Sequence, residues 1–292
     1  MPNDFAVFIL THGRAGNVLT YDSLRKCGYT GKIYLLVDDK DKQLEDYRKE
    51  FGDQVIVFDK QAAVDATDAC DNYMRHNSVV FARNWNFRVA KQLGIKYFWQ
   101  LDDDYIQFRW AMNNDRQYIT RNVRTGCLDD IIPACIRFMD DSGAKTVCFA
   151  QAGDFIGGAN AKVAKLGSRG DLSRKVMNTF FFRTDAPVTF RGRVNDDVNL
   201  YVECGRRGDL FATIPRLRID QPETQKRDGG CTDIYREFGT YIKSFYSVLV
   251  APSCVKIAML RGKKHSRIHH NVRWANACPV IIDEKHRKPR AA

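Results

Sequence analysis

A chain of 292 residues, 44% of them hydrophobic, is long enough for one large α/β domain or two small ones, and no apolar stretch in it would span a bilayer. Its formal net charge of +11 favours a polyanionic partner. Nine cysteines stand singly with no C-x-x-C pair, which argues against structural zinc, and an acidic N-terminus running straight into a strand is not a secretory signal; reduced thiols and a cytoplasmic location are expected.

Phe5–Leu10 (FAVFIL) reads as a buried strand. The loop Thr11-His12-Gly13-Arg14 follows, and Asn17–Gly28 has helical spacing. Amides at such a helix start can meet phosphate, with Arg14 adding charge; an ordinary βα turn fits equally. Lys32–Val37 is a second strand ending in Asp38-Asp39. Those carboxylates either accept from a base or sugar or cap the next helix, spaced by Leu44, Tyr47 and Phe51. Val55–Phe58 is a third strand, and this βαβαβ rhythm predicts a mostly parallel sheet with helical cover. Asp59–Asn77 is polar and is expected to cross an edge. Val79–Leu93 has a helical apolar stripe, with Arg83 off it, facing either a cleft or solvent.

Lys96–Tyr105 (KYFWQLDDDY) is the stretch around which the rest is organised. An apolar strand leads into Asp102, Asp103 and Asp104, which repel one another unless a cation or basic groups compensate. Carboxylates at a strand's carboxyl end can hold a hard divalent cation. A solvated turn is the plainer reading.

Ile106–Trp110 is extended, Asn113–Gly126 with Arg116, Arg121 and Arg124 is a hairpin or loop, and Leu128–Asp141 is helical. Lys145–Phe149 starts another strand; Gly153–Gly170 is a glycine-rich basic loop that is neither a P-loop nor a dinucleotide fingerprint. Val176–Phe182 holds a buried aromatic run. Asn195-Asp196-Asp197 precedes a helix over Val198–Cys204: one carboxylate suits a cap, and a second suits a general base. Phe211–Ile214 is a strand that Pro215 ends. Ile219–Gly230 is a polar connection, Thr232–Val250 one helix weakened by Gly239, and Val255–Leu260 a last strand. Beyond it, basic residues interleave with His265, His269 and His270.

An acidic metal site, nearby arginines and a second carboxylate pair suit transfer from a phosphate-activated donor, either of a sugar or of a nucleotidyl group. THGR, VFARNWNFRVAKQLGIKYFWQLDDD, GRVNDDVNLY and RIHHNVRW resemble the GT-A glycosyltransferases of the group associated with TET/JBP-type base oxygenases. The resemblance implies an α/β, GT-A-like nucleotide-diphospho-sugar transferase fold with a mostly parallel central sheet. It implies one catalytic domain over residues 1–274, with a nucleotide-binding half (1–104) and an acceptor-binding half (105–274), then a basic tail (275–292). Asp104 would bind Mn²⁺ or Mg²⁺ with His269, or its rival His270. Asp102 would face the ribose, with Asp103 beside it; Thr11, Arg14 and Asp39 would line the nucleotide pocket, and Arg83 would meet base or diphosphate. Asp196, the first choice, or Asp197 would be the base. The implied reaction moves a sugar from a UDP-type donor to the hydroxymethyl group of a modified pyrimidine in DNA. The implied protein is a monomer without membrane contact, in the host cytoplasm if phage-encoded. A saccharide or lipid acceptor, or a non-catalytic basic DNA-binding protein, are the alternatives.

Overall fold

The computed structural model describes residues 2–164, 178–222, 231–239, 241–261 and 266–279. Parts of the glycine-rich loop, of the 219–230 connection and of the aromatic run, together with Lys263, Lys264, His265 and most of the basic tail, lie outside the described residues.

The chain runs β1 (Phe5–Leu10), α1 (Leu19–Lys26), β2 (Lys32–Asp38), α2 (Leu44–Phe51), β3 (Val55–Phe58), α3 (Lys60–Asp65), α4 (Val80–Gln92) and β4 (Tyr97–Asp102). It continues with β5 (Gln107–Met112), β6 (Tyr118–Asn122), α5 (Cys127–Ser142), β7 (Thr146–Gln151), β8 (Thr179–Arg183), α6 (Asp196–Arg206) and β9 (Phe211–Asp220). Last come α7 (Thr232–Phe238), α8 (Ile242–Val250), β10 (Val255–Arg261), β11 (Ser266–Val272) and α9 (Trp274–Ala277). Nine strands form one sheet in the order β3-β2-β1-β4-β8-β7-β9-β5-β6, so segments from both sides of residue 104 share it; β10 and β11 form a separate ribbon.

The α/β layering is as expected, but the sheet is not mostly parallel. Parallel pairing holds for β3-β2-β1-β4, the part the strand–helix rhythm describes, and once more between β7 and β9. The four other pairings of the sheet are antiparallel, and the ribbon adds a fifth, so among the described residues antiparallel pairings outnumber parallel ones. The reason is local. After Asp102 the chain turns into the β5–β6 hairpin instead of a helical crossover, and β8 enters beside β4 in the opposite sense. That neighbour is chosen by aromatic fit: Trp99 pairs with Phe181 and their rings stack at 4.7 Å.

Alternation along the strands splits the core in two. Phe5, Val7, Ile9, Trp99 and Leu101 pack with Leu24, Tyr47 and Ile132 from α1, α2 and α5. Ala6, Phe8, Leu10 and Phe98 pack with Phe81 and Val89 of α4 and Val198 and Tyr201 of α6. A strand buried on both faces needs a continuous apolar run, which is why FAVFIL does not alternate.

Three boundaries move for identifiable reasons. Asp59 caps α3 by accepting from the Ala62 amide at 2.9 Å, so the polar edge segment contains a helix. Strand β9 runs through Pro215, because its register jumps from Ile214 to Arg218 opposite Phe149 and Ala150. The proline sits in that irregularity, where no ladder amide is required. The 232–250 helix is two helices, broken where Gly239 adopts φ +81°.

Helix α6 is set against α9 at Gly205, where a Cβ would lie 2.0 Å from the Ala277 carbonyl oxygen. Gly205→Ala must therefore push the two helices apart. We expect it to cost about 1–3 kcal/mol, the usual range for overpacking, in urea unfolding. An unchanged midpoint would show that α9 yields freely.

Candidate active site

Asp102 closes β4, and Asp103 and Asp104 form the turn beyond it. One side chain of α1 fixes that turn. The Thr20 amide donates to the Asp103 carbonyl at 3.1 Å; its hydroxyl donates to the Asp102 carbonyl at 2.6 Å and accepts from the Tyr105 amide at 2.9 Å.

Two of the three adjacent carboxylates, Asp102 and Asp103, have separate partners. Asp102 accepts from Arg83 Nη2 at 3.1 Å and from Asn178 Nδ2 at 2.8 Å. Asp103 accepts from the Thr11 hydroxyl at 2.8 Å and from Arg14 Nη1. Tyr47 supports this pair: its hydroxyl donates to Thr11 Oγ1 at 2.8 Å and accepts from the Arg14 amide at 2.7 Å. Burial pushes the Asp103 carboxyl up, while Arg14 and Thr11 pull it down.

These groups open onto a cavity of about 310 Å³ at the carboxyl ends of β1, β2 and β4. Thr11, Arg14, Asp102, Asp103 and Asp104 all line it. Asp39 does not: it is bound to the Lys60 amide at 2.9 Å and to Lys40 at 2.7 Å. Its neighbour Asp38 takes that place, with His12 Nδ1 at 2.7 Å and Lys60 Nζ at 3.3 Å. Burial alone would raise Asp38, but His12 and Lys60 hold it below the ordinary carboxylate value. Asp38 is the last residue of β2 and Asp39 the first beyond it, so the two turn to different partners, and the aspartate that lines the cavity is Asp38 and not Asp39, which the family resemblance implied.

Arg83 is buried and does not line the cavity. It joins the acidic turn to α6, reaching Asp102 with Nη2 and lying 2.9 Å from Asp196 Oδ2 with Nε, a contact not aligned as a hydrogen bond. Its guanidinium lies 5.3 and 5.5 Å from the Phe180 and Phe190 ring centres. Burial works against its charge, and Asp102 and Asp196 more than restore it.

Asp196 and Asp197 open α6 behind Asn195, which adopts φ +59°. Neither lines the cavity. Asp196 is buried, and burial pushes its carboxyl up to about 7 against the pull of Arg83. Asp197 is half-buried and accepts from the Val198 amide at 2.8 Å. Tyr235 of α7 lines the cavity and senses both carboxylates.

The two histidines also part. His270 is buried, with Nδ1 3.2 Å from Asn195 Nδ2, and ties the ribbon to the start of α6. His269 lines a second cavity of about 230 Å³, and neither histidine lines the first. Trp110 and Trp274, aromatics that would suit stacking on an acceptor base, do not line the first cavity either; Trp274 stacks on Tyr201 at 5.5 Å. Among the described residues no three His, Cys, Asp or Glu side chains are grouped to hold a metal.

Sequence reasoning missed further lining residues, His76 and Gln221 among them. Each has a buried polar atom, Nδ1 of His76 and Oε1 of Gln221, that makes no hydrogen bond among the described residues. Such atoms in a cavity wall are ready for a polar ligand. Neither carries a local motif that could have singled it out.

The family model of TET-associated glycosyltransferases matches residues 5–230. The chain belongs to that family. Among curated proteins none matches it. Solved structures similar to it include Staphylococcus aureus TarS residues 1–349 with UDP, at 13% identity, covering 84% of this chain and 64% of that one, with TM-score 0.44. A second is the mannosyltransferase PcManGT from Pyrobaculum calidifontis with GDP-Man and Mn²⁺, at 12% identity, covering 87% and 65%, with TM-score 0.49. A third is glucosyl-3-phosphoglycerate synthase from Mycobacterium tuberculosis with Mg²⁺ and UDP, at 10% identity, covering 92% and 87%, with TM-score 0.46. The chain thus spans less than two thirds of the TarS fragment and of PcManGT. Membership of the family rests on the sequence model, not on these remote likenesses. No described helix is long and apolar enough to cross a membrane.

Proposed function

We propose that this glycosyltransferase moves a sugar from a UDP-type donor to the hydroxymethyl group of a modified pyrimidine in DNA. The observation that carries the donor half is the cavity where Thr11, Arg14, Asp38 and Lys60 meet the acidic turn at the carboxyl ends of parallel strands. Arg14 and Lys60 supply positive charge for a diphosphate, and Asp38 and Asp102 supply acceptors for base and ribose. The acceptor half is supported by the family's association with TET, by the +11 charge and by exposed Arg116, Arg121 and Arg124 in and beside the β5–β6 hairpin.

The donor set fits Mg²⁺ or Mn²⁺. Asp102 and Asp104 are hard oxygen ligands lining the cavity, and such a cation is commonly held by one or two carboxylates and completed by substrate phosphates. Asp104, with Asp102, would hold it; His269, expected as a further ligand, lines another cavity. The bound ion supplies charge stabilisation for the departing diphosphate. The chain's own part is to orient the nucleotide through Thr11, Arg14 and Asp38. The base role is better supported for Asp197 than for Asp196. Asp197 is half-exposed near Tyr235, whereas Asp196 is buried against Arg83, and a base must first reach its proton.

A saccharide or another small acceptor is the second reading. As far as names go, the similar solved structures lean to it: one is a mannosyltransferase and one a glucosyl-3-phosphoglycerate synthase. The deciding experiment supplies hydroxymethylcytosine DNA, hydroxymethyluracil DNA, unmodified DNA and free saccharides, each with several nucleotide sugars and Mn²⁺. Products are digested and read by mass. We expect a sugar mass on a hydroxymethylated nucleoside only. Transfer to a free saccharide with no nucleoside adduct would overturn the DNA acceptor. Salt-sensitive DNA binding with no turnover of any donor would overturn the DNA-glycosylating activity itself.

A further inference from the structure

The β10–β11 ribbon and the loop joining its strands, residues 255–273, hold six Lys and Arg and no Asp or Glu. Where the ribbon meets α8, Lys243, Arg267, His269, Tyr241 and Ile268 line the second cavity. Two cations facing one small cavity repel each other, and among the described residues neither Lys243 nor Arg267 has a carboxylate at ion-pair distance. Burial also disfavours the Lys243 ammonium; Arg267 adds to that, and Asp197 opposes it. Two cations that share a cavity wall are drawn to an anion between them, and a guanidinium beside an ammonium suits the oxygens of a phosphate.

The position of this cavity says which phosphate. The Lys243 ammonium lies 5.9 Å over the ring of Tyr235, and Tyr235 lines the first cavity. The second cavity is therefore linked to the first through the Lys243–Tyr235 contact, and Asp197 acts on both of those residues. A diphosphate at the acidic turn has Arg14 and Lys60 within its own cavity and does not need Lys243 or Arg267.

We infer that the second cavity is an anion subsite of the acceptor, in which Lys243 and Arg267 grip one phosphate group with His269 at its side. This rests on the glycosyltransferase reading above and adds where the acceptor is anchored. The phosphate is either a diester of a nucleic-acid backbone or a monoester on a small acceptor.

The test titrates the full chain with dimethyl phosphate and with methyl phosphate, following the Lys243 and Arg267 side-chain signals by NMR. UDP affinity is measured in parallel by calorimetry. Saturable binding of either probe is expected, weakened at least tenfold in Lys243→Met and in Arg267→Gln, with UDP affinity changed less than twofold. Lys243→Met keeps an unbranched side chain without its charge, and Arg267 is exposed, so both variants should fold. Binding of the diester supports a nucleic-acid backbone; binding of the monoester alone supports a phosphorylated small acceptor. No saturable binding, binding undiminished in both variants, or UDP affinity falling in step with probe affinity would overturn the subsite. Neither readout requires sugar transfer, so a silent acceptor panel and a silent phosphate titration fail independently.

Discussion

Arg83→Met should lower the stability of the fold by about 3–5 kcal/mol, the range seen when one partner of a buried ion pair is removed. The substitution keeps most of the side-chain volume between Phe180 and Phe190 but strips the charge from between Asp102 and Asp196. Asp196 is the more exposed to this loss in energetic terms, because it is the more deeply buried of the two, at 6% relative exposure. Asp102 keeps its bond from Asn178. Urea unfolding at pH 8, where Asp196 carries most charge, is the measurement. The double variant Arg83→Met/Asp196→Asn should recover part of the loss, since it removes the stranded charge along with its partner. A loss under about 1 kcal/mol in the single variant would mean that water reaches the pair and that the ion pair does not hold α6 to the acidic turn.

Asp197→Asn should lower kcat by about 10²–10⁴-fold, the usual worth of a general base, while UDP affinity stays within twofold. The motivation is position: Asp197 is the half-exposed member of the pair at the start of α6, beside Tyr235 and facing the charge of Lys243. Asp196→Asn should act differently. It loosens the contact with Arg83, so its effect should read first as lowered stability and only then as lowered turnover. Steady-state kinetics at saturating donor and acceptor, paired with unfolding curves, separate the two. Full turnover by Asp197→Asn would remove it from the chemistry, and a reaction that retains anomeric configuration would give that result.

Much of the donor side could be read in the sequence because it is local. FAVFIL, KIYLLV, VIVF and YFWQL are apolar runs separated by helical periods, and they do pair as the parallel β3-β2-β1-β4 block. The polar residues just past such strands fall at one edge of the sheet whatever the rest of the chain does. Thr11, Arg14 and the aspartate run reach one cavity for that reason. Choosing Asp38 over Asp39 needed the register of a single strand end, and a one-residue shift reverses the face of a side chain.

What lies beyond residue 104 was decided by tertiary structure. The sense in which β8 enters beside β4 depends on aromatic packing between segments about 80 residues apart, and no local period encodes a strand's direction. The fate of Arg83 is of the same kind. Its place off the apolar stripe of α4 was visible, but that it meets Asp102 and Asp196 rather than solvent or ligand follows only once α4, β4 and α6 are packed. The doubled residues were separated by burial alone: Asp196 and His270 turn inward, Asp197 and His269 stay half-exposed. The sequence by itself determined which residue types gather at the carboxyl ends of its first strands, because chain connectivity carries them there. Only the tertiary structure decided which of those charges neutralise one another and which face a cavity, because that depends on long-range contacts between groups whose local sequence signals are identical.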